Sequence, residues 1–148
     1  MNDQKPFFGR KEIGKQYIRR KGVYAIIFDE QREMLAVMKT PKGYFLAGGG
    51  MEGEESLEEC LQREALEELG HDILIKKYIG NAEKYYITQQ DQTPMIADSY
   101  FYLAELAEWK LDPIEEDHEL EWIPISEAQE LLHHEHQAWA VAQAFEPK

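Results

Sequence analysis

The residues most capable of chemistry lie between Gly49 and Gly70, in the segment GGMEGEESLEECLQREALEELG. Gly49, Glu55, Arg63, Glu64, Glu67, Glu68 and Gly70 fall at the spacing G-x5-E-x7-R-E-x2-E-E-x-G. At about 100° per residue, Glu64, Glu67 and Glu68 occupy roughly a 100° sector of a helix. Leu57, Leu61, Ala65 and Leu69 form the neighbouring apolar stripe. An ordinary solvated face would place its charges opposite that stripe, but Glu64 and Glu68 point to the edge of the buried side. Like charges four residues apart destabilise a helix unless something neutralises them. A hard divalent cation does so, because carboxylate and carbonyl oxygens are what Mg²⁺ and Mn²⁺ prefer. Arg63 is the sole cation among these acids and can take a carboxylate bidentately, with Glu55 as a plausible partner. Its role is therefore read as structural. Gly48, Gly49 and Gly50 let backbone groups approach a metal or a phosphate.

These groups need a loop and a helix to position them. Ser56 followed by Glu59 matches a capping box, and Gly70 supplies a stop, so the expected helix runs from Leu57 to Leu69. Before it, Val23–Phe28 reads as a buried strand and Asp29–Glu33 as a polar turn. Met34–Met38 reads as the returning strand of a hairpin, and Tyr44–Leu46 as a short strand running into the glycines. After it, strands are expected at Ile73–Ile79, Ala82–Thr88, Ile96–Leu106 and Leu120–Ile125. Ser126 is expected to cap a helix running through Leu131 and Leu132, and a last helix spans Ala138–Phe145. The expected fold class is α/β in the α+β sense, a mixed β-sheet between helices.

A chain of 148 residues, 43% hydrophobic, reads as a single domain over 1–148 with a packed core. Residues 1–21 carry seven Lys/Arg against Asp3 and Glu12, while the whole chain is at −13. This basic segment is expected to add a strand or hairpin. It could face an anionic ligand, although a solvated surface strand is the plainer reading. The net charge makes nucleic acid an unlikely partner. The single cysteine, Cys60, excludes an internal disulfide and fits a reducing compartment. Its expected place is a semi-buried helix position, not that of a nucleophile. No run approaches a membrane span, so a cytoplasmic location without membrane contact is expected. His133-His134-Glu135-His136 lacks the spacing that puts two histidines on one helix face, and reads as an exposed helix end.

The seven residues from Gly49 to Gly70 resemble the Nudix box, G-x5-E-x7-R-E-U-x-E-E-x-G-U, with U a bulky aliphatic residue. Ala65 and His71 depart from the two U slots, and Ala47 stands where the family often has proline before the glycines. These departures bear on packing and leave the acids untouched. The resemblance implies a Nudix-type α/β/α sandwich and MutT-like hydrolysis of nucleoside diphosphate-linked compounds with Mg²⁺ or Mn²⁺. It implies Glu64, Glu67 and Glu68 as catalytic metal ligands, joined by the Gly48 carbonyl. It also implies a further carboxylate from a downstream loop. Glu116 is favoured over Glu119, both lying in the acidic stretch before Trp122. Lys39 and Arg20 or Lys21 could hold phosphate oxygens, and Tyr24, Tyr44 and Phe45 could stack on a base.

The expected substrate is a small nucleotide, with a nucleoside triphosphate first. Dinucleoside polyphosphates, nucleotide sugars and ADP-ribose are the enzymatic alternatives. The ADP-ribose branch tends to carry a proline about 15 residues past the box, where this chain has Tyr86. A ligand-binding sensor that has lost the chemistry is the non-enzymatic alternative, and it would be expected to lose box glutamates that are all kept here. A homodimer using the N-terminal segment as an intersubunit strand is left open.

Overall fold

The computed structural model describes residues 5–110 and 118–145. The described strands are β1 (Phe7–Gly9), β2 (Ile18–Ile27), β3 (Met34–Thr40), β4 (Gly43–Phe45) and β5 (Ala47–Gly50), followed by α1 (Leu57–Leu69). Then come β6 (His71–Ile87), β7 (Pro94–Trp109), β8 (Glu119–Pro124), a 3₁₀ turn at Ile125–Glu127, α2 (Ala128–Leu131) and α3 (Glu135–Phe145). The strands form a mixed five-stranded sheet in the order β1-β6-β7-β2-β5, and a three-stranded antiparallel sheet in the order β4-β3-β8.

Residues of β2 divide between two cores. Val23, Ala25 and Ile27 pack with Cys60, Leu61, Ala65 and Leu69 of α1. Ile26 packs with Phe101 of β7 and with Ala138, Ala140, Val141 and Ala144 of α3. Alternation along a strand therefore puts α1 and α3 on opposite faces of the large sheet. A strand covered on both faces has no solvent side, which is why Val23–Phe28 is almost continuously apolar. The three-stranded sheet feeds both cores, with Ala36 and Met38 on one side and Leu35 and Val37 on the other.

Helix α1 begins and ends as its sequence dictates. Ser56 Oγ accepts the Glu59 N–H at 3.1 Å, and Glu59 Oε1 accepts the Ser56 N–H at 2.8 Å. Such a cap stabilises a helix by about 1 kcal/mol. Gly70 closes it at φ +73° with its N–H on the Leu66 carbonyl.

Four expectations are corrected. Asp29–Glu33 is a turn, but β2 and β3 do not form a hairpin; they part into different sheets after the Phe28–Leu35 bridge. The two strands expected between Ile73 and Thr88 are one strand, β6, whose register shifts absorb the Gly80-Asn81 interruption. Ser126 caps nothing; a 3₁₀ turn led by Pro124 starts the segment instead. Helix α3 starts at Glu135, three residues earlier than expected, and takes in His136 and Gln137. The N-terminal segment adds β1 in parallel to β6. No described helix is long and apolar enough to cross a membrane.

Candidate active site

Helix α1 carries Glu64 and Glu68 on its buried face, at 8% and 4% exposure. The glycine loop lies against them. Gly48 donates its N–H to Glu68 Oε1 at 2.8 Å. Its backbone, at φ +147°, runs so close to the Val23 carbonyl that a Cβ would collide with it. A Cβ on Gly49 would press into the Glu64 carboxyl group, 2.6 Å from Oε1. The two glycines thus have separate reasons: Gly48 lets the backbone reach Glu68, and Gly49 leaves room for Glu64.

Arg63 ties the loop to the helix. It grips Glu55 through Nε at 2.6 Å and Nη2 at 3.1 Å, and Nη2 also reaches the Gly50 carbonyl at 3.0 Å. Its Nη1 meets Glu64 Oε2 at 3.1 Å and Glu67 Oε1 at 3.3 Å. The guanidinium holds the Glu55 carboxyl down at about 2. Glu67 is partly exposed and turned to Arg63, so the structure brings Glu64 and Glu68 to the glycines and leaves Glu67 at the rim. Cys60 sits beneath the loop, fully buried and deeper than expected, and burial pushes its thiol up to about 12.

On the other side of Glu68 stands His118, whose Nδ1 lies 2.7 Å from Oε2. The sequence led to the expectation of a carboxylate from this acidic stretch, and among its described residues it is the histidine that reaches Glu68. Glu116 lies outside the described residues. Glu119 is exposed in β8, opposite Lys39 of β3.

A cleft of about 410 Å³ opens beside Glu68 and His118. Tyr24, Met38 and Phe45 form its apolar walls, and Thr40, Pro41 and Lys42 its lip. Burial first, and then the carboxylates of Glu68 and Glu64, raise the Tyr24 phenol well above its ordinary value, so it stays neutral. Of the residues expected at the substrate, Tyr24 and Phe45 line this cleft. Lys39 does not; Met38 faces inward and Lys39 is exposed. Lys42 is the cation at the lip. Arg20 is exposed near Gly50, outside the cleft lining. A larger cleft, about 610 Å³, lies among Phe28, Arg32, Lys76 and Trp122, and no residue of α1 or the glycine loop lines it.

The His133–His136 stretch is not simply an exposed helix end. His133 is exposed, but His136 is fully buried, with Nε2 2.9 Å from Ser99 Oγ. Phe45 packs against both His133 and His134, so this stretch backs the cleft wall. The basic N-terminus does not present all its cations outward either. Lys5 and Arg19 both pair with the buried acids Glu83 and Asp98.

The family model of the NUDIX domain matches residues 18–144. The chain belongs to the Nudix family. It is thus a hydrolase of a family that generally uses divalent metal ions and acts on small nucleotide substrates. Solved structures of Nudix proteins share its fold. A NUDIX hydrolase from Nitrosomonas europaea is similar at TM-score 0.68 and 18% identity, over 85% of this chain and 88% of that one. A MutT protein from Methanosarcina mazei Go1 is similar at 0.63 and 21%, over 87% and 95%. An ADP-ribose pyrophosphatase from Streptococcus suis 89-1591 is similar at 0.60 and 15%, over 87% and 93%. No curated protein matches the chain.

The Nudix donor set fits a hard cation. Glu64 and Glu68 offer carboxylate oxygens beside the backbone of Gly48, the hard donors that Mg²⁺ and Mn²⁺ prefer. Among the described residues, no three His, Cys, Asp or Glu side chains stand close enough to hold a metal by themselves. Mg²⁺ does not need them, since it is ordinarily held by one or two carboxylates with water and substrate phosphate completing its shell.

Proposed function

We propose that this Nudix hydrolase cleaves a phosphoric anhydride bond of a nucleoside triphosphate, with Mg²⁺ or Mn²⁺ as cofactor. The observation that carries this reading is the pair of Glu64 and Glu68, both more than nine-tenths buried, set against Gly49 and Gly48, with Glu68 and Gly48 lining a cleft that Tyr24 and Phe45 also line. Arg63 already meets Glu64 and His118 meets Glu68, and a divalent cation would be the further partner that offsets the repulsion of two like charges one helical turn apart.

Glu64, Glu68 and the Gly48 carbonyl would hold the metal, with Glu67 at the rim as the third carboxylate. What Mg²⁺ or Mn²⁺ supplies when bound is charge neutralisation at the diphosphate oxygens and a more acidic water. The protein's own part is positioning. Arg63 fixes Glu55, the Gly50 carbonyl and Glu64 as one unit, so the acids do not reorganise when charge develops. The Gly48 N–H and His118 each hold one oxygen of Glu68. Tyr24 and Phe45 give the base two apolar surfaces, and the cleft between them leads to Glu68. Lys42 at the lip offers a charge to the outer phosphate. Glu116 would be the further carboxylate from the downstream loop, with Glu119 as the alternative.

The test is a substrate panel with Mg²⁺ and Mn²⁺ and product identification. It covers nucleoside triphosphates, dinucleoside polyphosphates, sugar nucleotides and ADP-ribose. Release of nucleoside monophosphate and pyrophosphate from a triphosphate is expected. Preferred turnover of ADP-ribose would replace the substrate and keep the chemistry. Nucleotide binding without any product would leave only the sensor reading.

A further inference from the structure

The glycine loop is held from two sides, and only one of them is α1. Between β4 and β5 the chain leaves the three-stranded sheet and enters the five-stranded sheet with a single residue, Leu46, in between. A residue at such a crossing belongs to neither ladder, and a buried N–H without a partner is costly. Gln137, at the start of α3 and 1% exposed, meets that need: its Oε1 accepts the Leu46 N–H at 2.8 Å in a buried bond. Two residues earlier, the His133 N–H donates to the Tyr44 carbonyl at 2.8 Å. Two residues later, the Gly48 N–H donates to Glu68 at 2.8 Å. Tyr44, Leu46 and Gly48 are thus tied in succession to the α2–α3 turn, to α3 and to α1.

Helix α3 is a firm base for this tie. Ala138, Ala140, Val141 and Ala144 are buried in the second core. His136 bonds to Ser99, and the Ala138 carbonyl accepts from Gln129 at 3.0 Å. Gln137 is therefore placed by packing that owes nothing to the acids of α1.

We propose that Gln137 is a positioning residue for the hydrolytic centre, fixing the sheet-crossing at Leu46 so that Gly48 meets Glu68 in register. The proposal rests on the metal-dependent reading above for its consequence, but its geometry can be read without metal. Gln137→Met keeps the volume and removes the acceptor, Gln137→Glu keeps an acceptor oxygen, and Val141→Ala loosens the packing of α3 while keeping the Gln137 acceptor. Three quantities are read in each: amide hydrogen exchange of Leu46 and Gly48 in metal-free protein, Mn²⁺ affinity without substrate, and thermal stability. Losing one buried hydrogen bond should speed exchange at both amides by about tenfold in Gln137→Met and weaken Mn²⁺ binding by about the same factor. Gln137→Glu should recover most of both. Val141→Ala should lower thermal stability yet keep Mn²⁺ affinity within about twofold. Unchanged exchange and affinity in Gln137→Met, or equal losses in Val141→Ala, would overturn the proposal. Failure of the unaltered protein to bind Mn²⁺ would overturn the metal-dependent reading instead, while the exchange data would still decide the role of Gln137.

Discussion

At the scale of single residues, the site depends on short polar contacts that leave little slack. Glu68 divides its two oxygens between the Gly48 N–H and His118. Replacing it with Gln keeps the shape and removes a charge the cation needs. Steady-state assays of Glu68→Gln should show kcat reduced by at least about 100-fold, with an unfolding temperature close to that of the unaltered protein. The neighbouring glycines should separate in a second experiment. Alanine at Gly49 first meets the far end of the Glu64 side chain, which must shift from its place beside Arg63, and meets it at an ordinary backbone conformation. Turnover should fall by about tenfold or more for Gly49→Ala, at a stability cost below about 1 kcal/mol. Alanine at Gly48 meets the backbone of β2 at a positive φ, and should destabilise the fold by more than about 2 kcal/mol. Equal stability losses in a paired denaturation measurement would contradict this assignment.

At the scale of elements, α1 carries the acids and α3 sets the loop opposite them. The first turn of α3 also carries a pH liability. His136 is fully buried against Ser99, Phe101 and His134, and its Nδ1 has no hydrogen-bond partner among the described residues. Burial, then His134 and Lys84, depress its pKa to about 3. The unfolded chain binds this proton near pH 6.5 and the folded protein does not. Stability is therefore lost progressively as pH falls from 6.5 toward 3, by about 3 kcal/mol at pH 4 from this group. Urea titrations of His136→Gln should have a shallower acid slope between pH 6.5 and 4 than the unaltered protein. Parallel slopes would mean that His136 takes up a proton without disturbing the fold.

At the scale of the whole molecule, the N-terminal segment closes the edge of the large sheet. Lys5 and Arg19 come from either side of β1 to the facing pair Glu83 and Asp98, at 7% and 2% exposure. Burial alone would raise the pKa of both acids. For Asp98 the Asn81 hydrogen bond and Lys5 override it, and for Glu83 Arg19 and Lys5 do, so both sit below their ordinary values. Removing both cations leaves two buried carboxylates side by side. Lys5→Ala with Arg19→Ala should cost about 2 kcal/mol in chemical denaturation, and less at pH values low enough to protonate the pair. Loss of activity without loss of stability would instead assign these cations to the substrate.

The sequence by itself determined what is local. Ser56, Glu59 and Gly70 define the two ends of α1 through contacts within a few residues, and the helical period alone turns Glu64 and Glu68 toward the core. The Gly49–Gly70 spacing therefore carried the family as well. Tertiary structure decided what depends on distant partners. The parting of β2 from β3 follows from which strands each pairs with, not from the turn between them. The destination of Lys5 and Arg19 depended on Glu83 and Asp98, more than sixty residues away in the chain. His118 and Gln137 look ordinary in the sequence, one in an acidic run and the other in a helix. They acquire their roles because folding brings one to Glu68 and the other to the N–H of Leu46, and neither contact leaves a local pattern.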